Sequence, residues 1–202
     1  MTIIHSYASA ADRLIPRYEA ISIEAWLKPV LPFVPAGKSR ILDLGAGTGN
    51  IGAWFVERGA SVLAVEPVQE FRDAGKELHP SADLTWLDDQ LPDLSQTLAQ
   101  NETFDLVLLS GVWHHLTADE RKIAMPGIRR LTADGGRLIL SLRHGPGVPD
   151  RPAYPVPPEE TMTLAEAHDF RLIHRTTASS LQEENKAAGV SWTWVVFDAS
   201  SS

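Results

Sequence analysis

From residue 40 to residue 49 the chain reads Arg-Ile-Leu-Asp-Leu-Gly-Ala-Gly-Thr-Gly, a short apolar run that passes directly into three closely spaced glycines. Glycines in that place supply positive φ and let a ligand approach the backbone, which is the turn found at the carboxyl end of a parallel strand ahead of a helix. The helix expected over 50–58 aims unpaired N–H groups at whatever the turn holds. One strand of this type has to be covered on both faces, so its neighbours in sequence must supply more strands and the helices between them.

They do. Strands are expected at 40–44, 61–65, 84–87, 104–109 and 137–142, several of them apolar at nearly every position. Helices are expected at 50–58, 68–78, 93–99 and 117–131, the last opened by a Thr117/Glu120 capping box and closed by Asp134-Gly135-Gly136. Six prolines at 146, 149, 152, 155, 157 and 158 make the next stretch a long loop, followed by a short helix at 161–168. Runs at 171–176 and 192–197 complete seven strands, the last two pairing as an antiparallel hairpin across the connection 177–189. Residues 10–31 have helical spacing at Leu14, Tyr18, Ile21 and Ala25 with interruptions at Pro16 and Pro29; Ser200 to Ser202 read as a frayed end. The expected fold is α/β: a doubly wound, mostly parallel seven-stranded sheet with the last strand antiparallel and helices on both faces. The 202 residues suit one domain, with a helical cap at 1–35 and the proline-rich loop at 145–160.

The absence of cysteine excludes disulfides, thiolate metal sites and a cysteine nucleophile. A net charge of −8 opposes attraction to nucleic acid or anionic lipid. The first eleven residues lack the layout of a secretory signal and no apolar run reaches membrane-spanning length, which is compatible with a cytoplasmic protein. Histidines 5, 79, 168 and 174 are scattered, and His114 and His115 are adjacent, so no metal site is expected.

Glu66 ends the second strand, where an acid accepts hydrogen bonds from both ribose hydroxyls of a nucleoside. Gly47-Thr48-Gly49-Asn50-Ile51-Gly52 matches the dinucleotide fingerprint G-x-G-x-x-G, which raises an NAD-dependent oxidoreductase as a rival. Its register is wrong: the first glycine after the strand is Gly45, and counting from there Asn50 occupies the third glycine's place. Asp43 is also unfavourable beside a pyrophosphate and favourable beside a sulfonium or an α-amino group.

The stretch Ile41 to Gly49 resembles motif I of class I S-adenosylmethionine-dependent methyltransferases, and Val65-Glu66-Pro67 resembles the acidic end of their second strand. The resemblance continues through Trp86-Leu87-Asp88-Asp89, through Phe104 to Ser110 and through Leu131 to Leu142. It implies S-adenosylmethionine as cofactor, held by Asp43, Gly45, Ala46 and Gly47 in the turn and by Glu66 and Pro67 after the second strand. Asp88 or Asp89 would meet the adenine amino group, with Asp88 nearer the strand end. Ser110 and Trp113 follow the fourth strand, Trp113 as a wall for the adenine. Trp113-His114-His115-Leu116, Ser141 to Pro146 and Gly189 to Thr193 are similar to a narrower group of small bacterial methyltransferases, in which Arg-Asp is expected where this chain has Asn50-Ile51.

The loops after the fourth and fifth strands would then face the transferred methyl. His114 or His115 is a candidate general base or orienting donor, against the alternative of one packing and one solvent-facing histidine. Arg143 is a candidate for an anionic group of the acceptor, against the alternative of a structural ion pair. Tyr7 and Tyr18 are placed to close over the cofactor or to serve as core aromatics. The loop after the fourth strand is not Asp/Asn-Pro-Pro-Tyr and no basic–aromatic stripe accompanies it, so a small molecule is expected as acceptor rather than nucleic acid. A protein or peptide methyltransferase and a non-catalytic S-adenosylmethionine-binding module stand as alternatives.

Overall fold

The computed structural model describes residues 2–148 and 150–200. Met1, Pro149 and residues 201–202 of the frayed end expected at 200–202 lie outside them. In chain order the elements are α1 (Ile3–Ala8), α2 (Ala11–Glu19), α3 (Ile23–Leu27), β1 (Arg40–Leu44), α4 (Asn50–Val56), β2 (Ser61–Val65), α5 (Gln69–Leu78), β3 (Leu84–Leu87), α6 (Ser95–Ala99) and β4 (Phe104–Leu109). They continue with α7 (Ala118–Leu131), β5 (Thr132–His144), α8 (Pro158–Glu166), β6 (Phe170–Ser179), α9 (Glu183–Ala187) and β7 (Ser191–Ala199). Short 3-10 turns lie at Leu31–Phe33 and Trp113–His115.

The sheet order is β3-β2-β1-β4-β5-β7-β6. Strands β1 to β5 pair in parallel, and β7 is antiparallel to both β5 and β6. The expected hairpin is therefore present, with β7 inserted between β5 and β6 and α9 in its connection. Alternate residues of each central strand feed opposite cores. Leu42, Leu44, Val107, Leu109, Leu138 and Leu140 pack under α7 and α8, whereas Ile41, Leu106, Leu108 and Ile139 pack with Leu27 of α3 and Phe55 of α4. Near-continuous apolar strands are what burial on two faces requires.

Several boundaries differ from expectation for local reasons. Residues 133–136 do not close a helix before a fresh strand. They bulge within β5, where Thr132 pairs with Phe104 and Arg137 with Leu106. The Thr117/Glu120 capping box is present, with Glu120 Oε2 accepting from Thr117 N at 2.7 Å. Helix α8 starts at Pro158, because proline fits a helix's first turn where its missing N–H is not needed. Pro16 does not interrupt α2; it sits inside the helix. Among the described residues no helix is long and apolar enough to cross a membrane.

The order reverses between β1 and β4: β2 and β3 extend to one side of β1, while β5, β7 and β6 extend beyond β4. Loops leaving the carboxyl ends of β1 and β4 diverge there, and in open α/β sheets this is where a crevice forms.

Candidate active site

A cavity of about 780 Å³ occupies that crevice, within the range of small-molecule sites. Its floor is the glycine turn. Gly45 has φ +74°, and a Cβ there would run into the Val112 side chain of the loop after β4. Gly49 has φ +75° and lies against Trp86, whose ring would be 2.6 Å from an added Cβ. Ala46, Gly47, Pro67 and Ser110 also line the cavity, and the Ser110 hydroxyl accepts from Trp26 Nε1 at 2.8 Å.

Two carboxylates mark this end. Asp43 on β1 is 1% exposed and its Oδ2 has no hydrogen-bond partner. Burial, reinforced by the nearby charge of Glu66, lifts its pKa to about 7. Glu66 accepts from Gly47 N at 2.8 Å and from Val68 N at 2.9 Å, yet burial still lifts it to about 7. A buried carboxylate in want of a partner is an electrostatic invitation to a cation.

Two expected cofactor residues are not in the cavity wall. Asp88 is turned outward, its side chain 69% exposed and paired with Arg72 at 2.8 Å. Its neighbour Asp89 lines the cavity instead, with Oδ2 accepting from the backbone and hydroxyl of Thr97 on α6, both at 2.8 Å. Trp113 is fully buried on the opposite side of its 3-10 turn, among the core residues under α7 and α8, where Nε1 donates to Thr161 at 3.1 Å. A large apolar ring gains more from that core than from a partly wet wall.

The same 3-10 turn presents His114 and His115 to the cavity. Their rings lie 4.1 Å apart. His114 is buried, its Nδ1 has no partner, and burial together with His115, Arg143 and Arg121 depresses its pKa well below the ordinary histidine value. His115 is held at both nitrogens, by the Pro152 carbonyl at 2.9 Å on Nδ1 and by the Tyr7 hydroxyl at 2.8 Å on Nε2. Arg143, at the end of β5, also faces the cavity. Among the described residues it has no carboxylate within 4 Å, only a long 3.4 Å contact to the Gly145 carbonyl. The structural ion pair considered for it is thus not formed there. His144 points elsewhere, bonded to Thr193 at 2.8 Å.

Two further lining residues were not among the site residues expected from the sequence, although Trp192 lies in the stretch 189–193 that resembles the narrower group. Arg151 is brought in by the proline-rich loop, which buried Arg121 anchors through the Pro155 carbonyl and Glu160, and which bonds the His114 carbonyl through Tyr154 N. Its guanidinium lies 5.2 Å from the centre of the Tyr7 ring. Trp192 on β7 lines the cavity with an unpartnered Nε1 and an edge-on contact to His114. Their positions depend on loop path and strand order, which no local pattern encodes.

The N-terminal helices form the roof. Asn50 Nδ2 donates to the Tyr18 carbonyl at 2.7 Å, Thr48 donates to Glu19, and Arg17 pairs with Glu184 of α9 at 2.8 Å. Asn50, where the narrower group would have arginine, is thus used to fasten α2 to the glycine turn. Among the described residues no group of three or more His, Asp or Glu side chains is placed to hold a metal ion.

With fold and cavity in view, comparison with known proteins defines the class. Residues 42–140 match a methyltransferase domain model. An uncharacterized methyltransferase of Mycobacterium tuberculosis is 33% identical over 136 residues, which are 67% of this chain and 49% of that relative. A TehB-like SAM-dependent methyltransferase of Corynebacterium glutamicum superposes with a TM-score of 0.67 at 23% identity, over 96% of this chain and 97% of that one. The 1,6-didemethyltoxoflavin-N1-methyltransferase of Burkholderia thailandensis, solved with its substrate and S-adenosylhomocysteine, gives 0.73 at 18% identity over 98% and 87%. The chain carries a class I S-adenosylmethionine-dependent methyltransferase domain. It spans about half the length of the Mycobacterium relative, and the matched domain model ends before Arg143, Arg151 and Trp192 and begins after Tyr7.

Proposed function

We propose that this protein transfers the methyl group of S-adenosylmethionine to a small anionic acceptor enclosed beneath its N-terminal helices. One observation carries the reading: a single cavity is lined by Asp43, whose buried Oδ2 has no partner, and by Glu66, and also by two guanidiniums, Arg143 and Arg151, that have no carboxylate partner among the described residues. Bound S-adenosylmethionine supplies a methyl on a positively charged sulfur. Asp43 and the glycine turn suit its cationic amino-acid end, Glu66 its ribose and Asp89 its adenine. The two guanidiniums suit a carboxylate or phosphate on the acceptor. Binding side by side in one cavity aligns the reactants, from which in-line displacement draws most of its acceleration. Trp192 and the two histidines offer ring faces and edges, as a planar acceptor would use; the Burkholderia protein's named substrate is one such molecule. A roof fastened at Asn50 and Glu184 fits a small molecule better than a polypeptide.

Calorimetry is expected to give binding of S-adenosylmethionine and none of NADH, and radiolabelled methyl from the cofactor is expected in a low-molecular-mass product of a fractionated extract. Arg143→Ala should then raise the acceptor KM about tenfold or more with cofactor affinity near wild type. Label found only in macromolecules, or an unchanged KM, would sink the reading.

A further inference from the structure

Two of the cavity's polar side chains are joined in a chain whose direction the structure fixes. The Pro152 carbonyl can only accept, so His115 Nδ1, 2.9 Å away, carries the hydrogen. In the neutral ring Nε2 is then the acceptor, and the Tyr7 hydroxyl at 2.8 Å donates to it. Tyr7 Oη therefore keeps a lone pair for the cavity that both residues line, with the Arg151 guanidinium also within hydrogen-bonding reach of that oxygen. The tyrosine ring is held edge-on by Phe71 of α5 at 6.1 Å and by His115 at 5.5 Å, beneath the Arg151 guanidinium.

We infer that Tyr7 is the residue that takes the proton from the methyl acceptor, with His115 as the final holder of that proton, so that the acceptor is a small anion methylated at a separate hydroxyl. This rests on the methyltransferase reading above. In the step, the acceptor's O–H bond breaks and its proton joins Tyr7 Oη, while the Tyr7 proton passes to His115 Nε2. An oxygen electron pair forms the new O–CH₃ bond, and the S–CH₃ bond breaks with its pair left on sulfur. One positive charge leaves the sulfonium and one appears on the imidazolium, so the net charge of the cavity does not change. That matters because creating a net charge at a site partly removed from water is unfavourable.

The surroundings set the working range. Burial depresses the His115 pKa, Arg151 from the loop and Arg143 from β5 act in the same direction, and the hydrogen bond to Pro152 opposes them. Buried, neutral His114 packs beside it, and the Tyr7 hydroxyl is raised by its own burial, which outweighs both arginines. His115 thus stays neutral and able to receive a proton down to pH values below about 6.5. An acceptor anion lying between Arg143 and Arg151 offsets the positive charge that would otherwise resist forming the imidazolium. If the acceptor were methylated on its carboxylate, no proton would need removing and the Tyr7–His115 chain would be idle.

The test uses the full chain with S-adenosylmethionine and three probes: 4-hydroxyphenylacetate, phenylacetate and tyramine. The expected result is methyl transfer to the phenolic oxygen of 4-hydroxyphenylacetate, weaker transfer to tyramine, which lacks the carboxylate, and none to phenylacetate. Tyr7→Phe, which keeps the ring, should lower kcat about a hundredfold with acceptor KM held within about threefold. The fall of kcat below about pH 6.5 should persist in wild type and flatten in Tyr7→Phe. Methyl on a carboxylate oxygen, a Tyr7→Phe effect on KM alone, an unmoved pH profile, or binding of S-adenosylmethionine without methylation of any hydroxylated probe would each overturn the inference while leaving the cofactor reading intact. Failure of the wild type to bind S-adenosylmethionine at all would instead remove the underlying reading, and the inference with it.

Discussion

Asp43 is the residue at which folding and binding are most directly opposed. Its carboxyl is buried without a partner for Oδ2 and has a folded-state pKa of about 7, against an ordinary value of 3.8. A carboxyl whose pKa is raised by folding holds its proton more tightly in the native state. It therefore costs nothing at pH values below the ordinary one, costs more as pH rises, and reaches its full cost above about 7. Asp43→Asn removes that ionisation. We expect the ligand-free variant to be more stable than wild type at pH 8, by on the order of 2 kcal/mol in urea unfolding, with no gain at pH 4. Its affinity for S-adenosylmethionine should fall about a hundredfold or more, since on the proposed reading a cationic ligand loses a buried anion. A variant that is no more stable than wild type at pH 8 would contradict this account. Asp43 and Glu66 were legible in the sequence because a strand–turn–helix pattern fixes where strand ends lie. Trp113 and Asp88 face away from the cavity because the choice of face at a 3-10 turn or a loop is made by tertiary neighbours, here Thr161 and Arg72.

At the scale of elements, apolar runs identified all seven strands, and their near-continuous burial is why. The bulge at 133–136 and the helix at 183–187 left weaker marks, since glycines signal a turn without saying whether pairing resumes beyond it. Helix α1 falls inside the helical cap expected at 1–35, but the reach of Tyr7 to His115 has no mark in the sequence. Pro16 was read as a break, but α2 continues through it, the helix being anchored by its neighbours: Asn50 to the Tyr18 carbonyl and Glu19 to Thr48. That anchoring gives the roof its expected behaviour. Asn50→Ala should cost about 1 kcal/mol of stability, the ordinary worth of one hydrogen bond, yet raise the dissociation rate of S-adenosylmethionine about tenfold by loosening α2 over the turn. Stopped-flow displacement measures that rate. Equal rates in variant and wild type would mean that the roof does not retain the cofactor.

Over the whole molecule, charge is mixed: a chain of net charge −8 lines its cavity with the guanidiniums of Arg143 and Arg151 as well as with the buried carboxyls of Asp43 and Glu66. The overall field therefore opposes an anionic acceptor at long range, though it is screened beyond about 8 Å at physiological salt, and recognition falls to Arg143 and Arg151 at contact. The two carboxyls have a consequence for the stability of the entire fold. A ligand present at a hundred times its Kd stabilises the native state by about 2.7 kcal/mol, which for a chain of this length is a rise in Tm of roughly 5–11 °C. On the proposed reading S-adenosylmethionine, which carries a net positive charge, binds best with Asp43 and Glu66 ionised. Both hold protons up to about pH 7 in the free protein, so cofactor binding must displace them below that value. At one fixed concentration the Tm shift should therefore be larger at pH 8 than at pH 6. S-adenosylhomocysteine, which lacks the sulfonium charge, should show a flatter dependence over the same interval, because less of its binding energy depends on those carboxylates being ionised. Differential scanning fluorimetry at the two pH values separates the cases. Equal pH dependence for the two ligands would show that the carboxylates meet the amino and ribose groups alone and leave the sulfonium unattended.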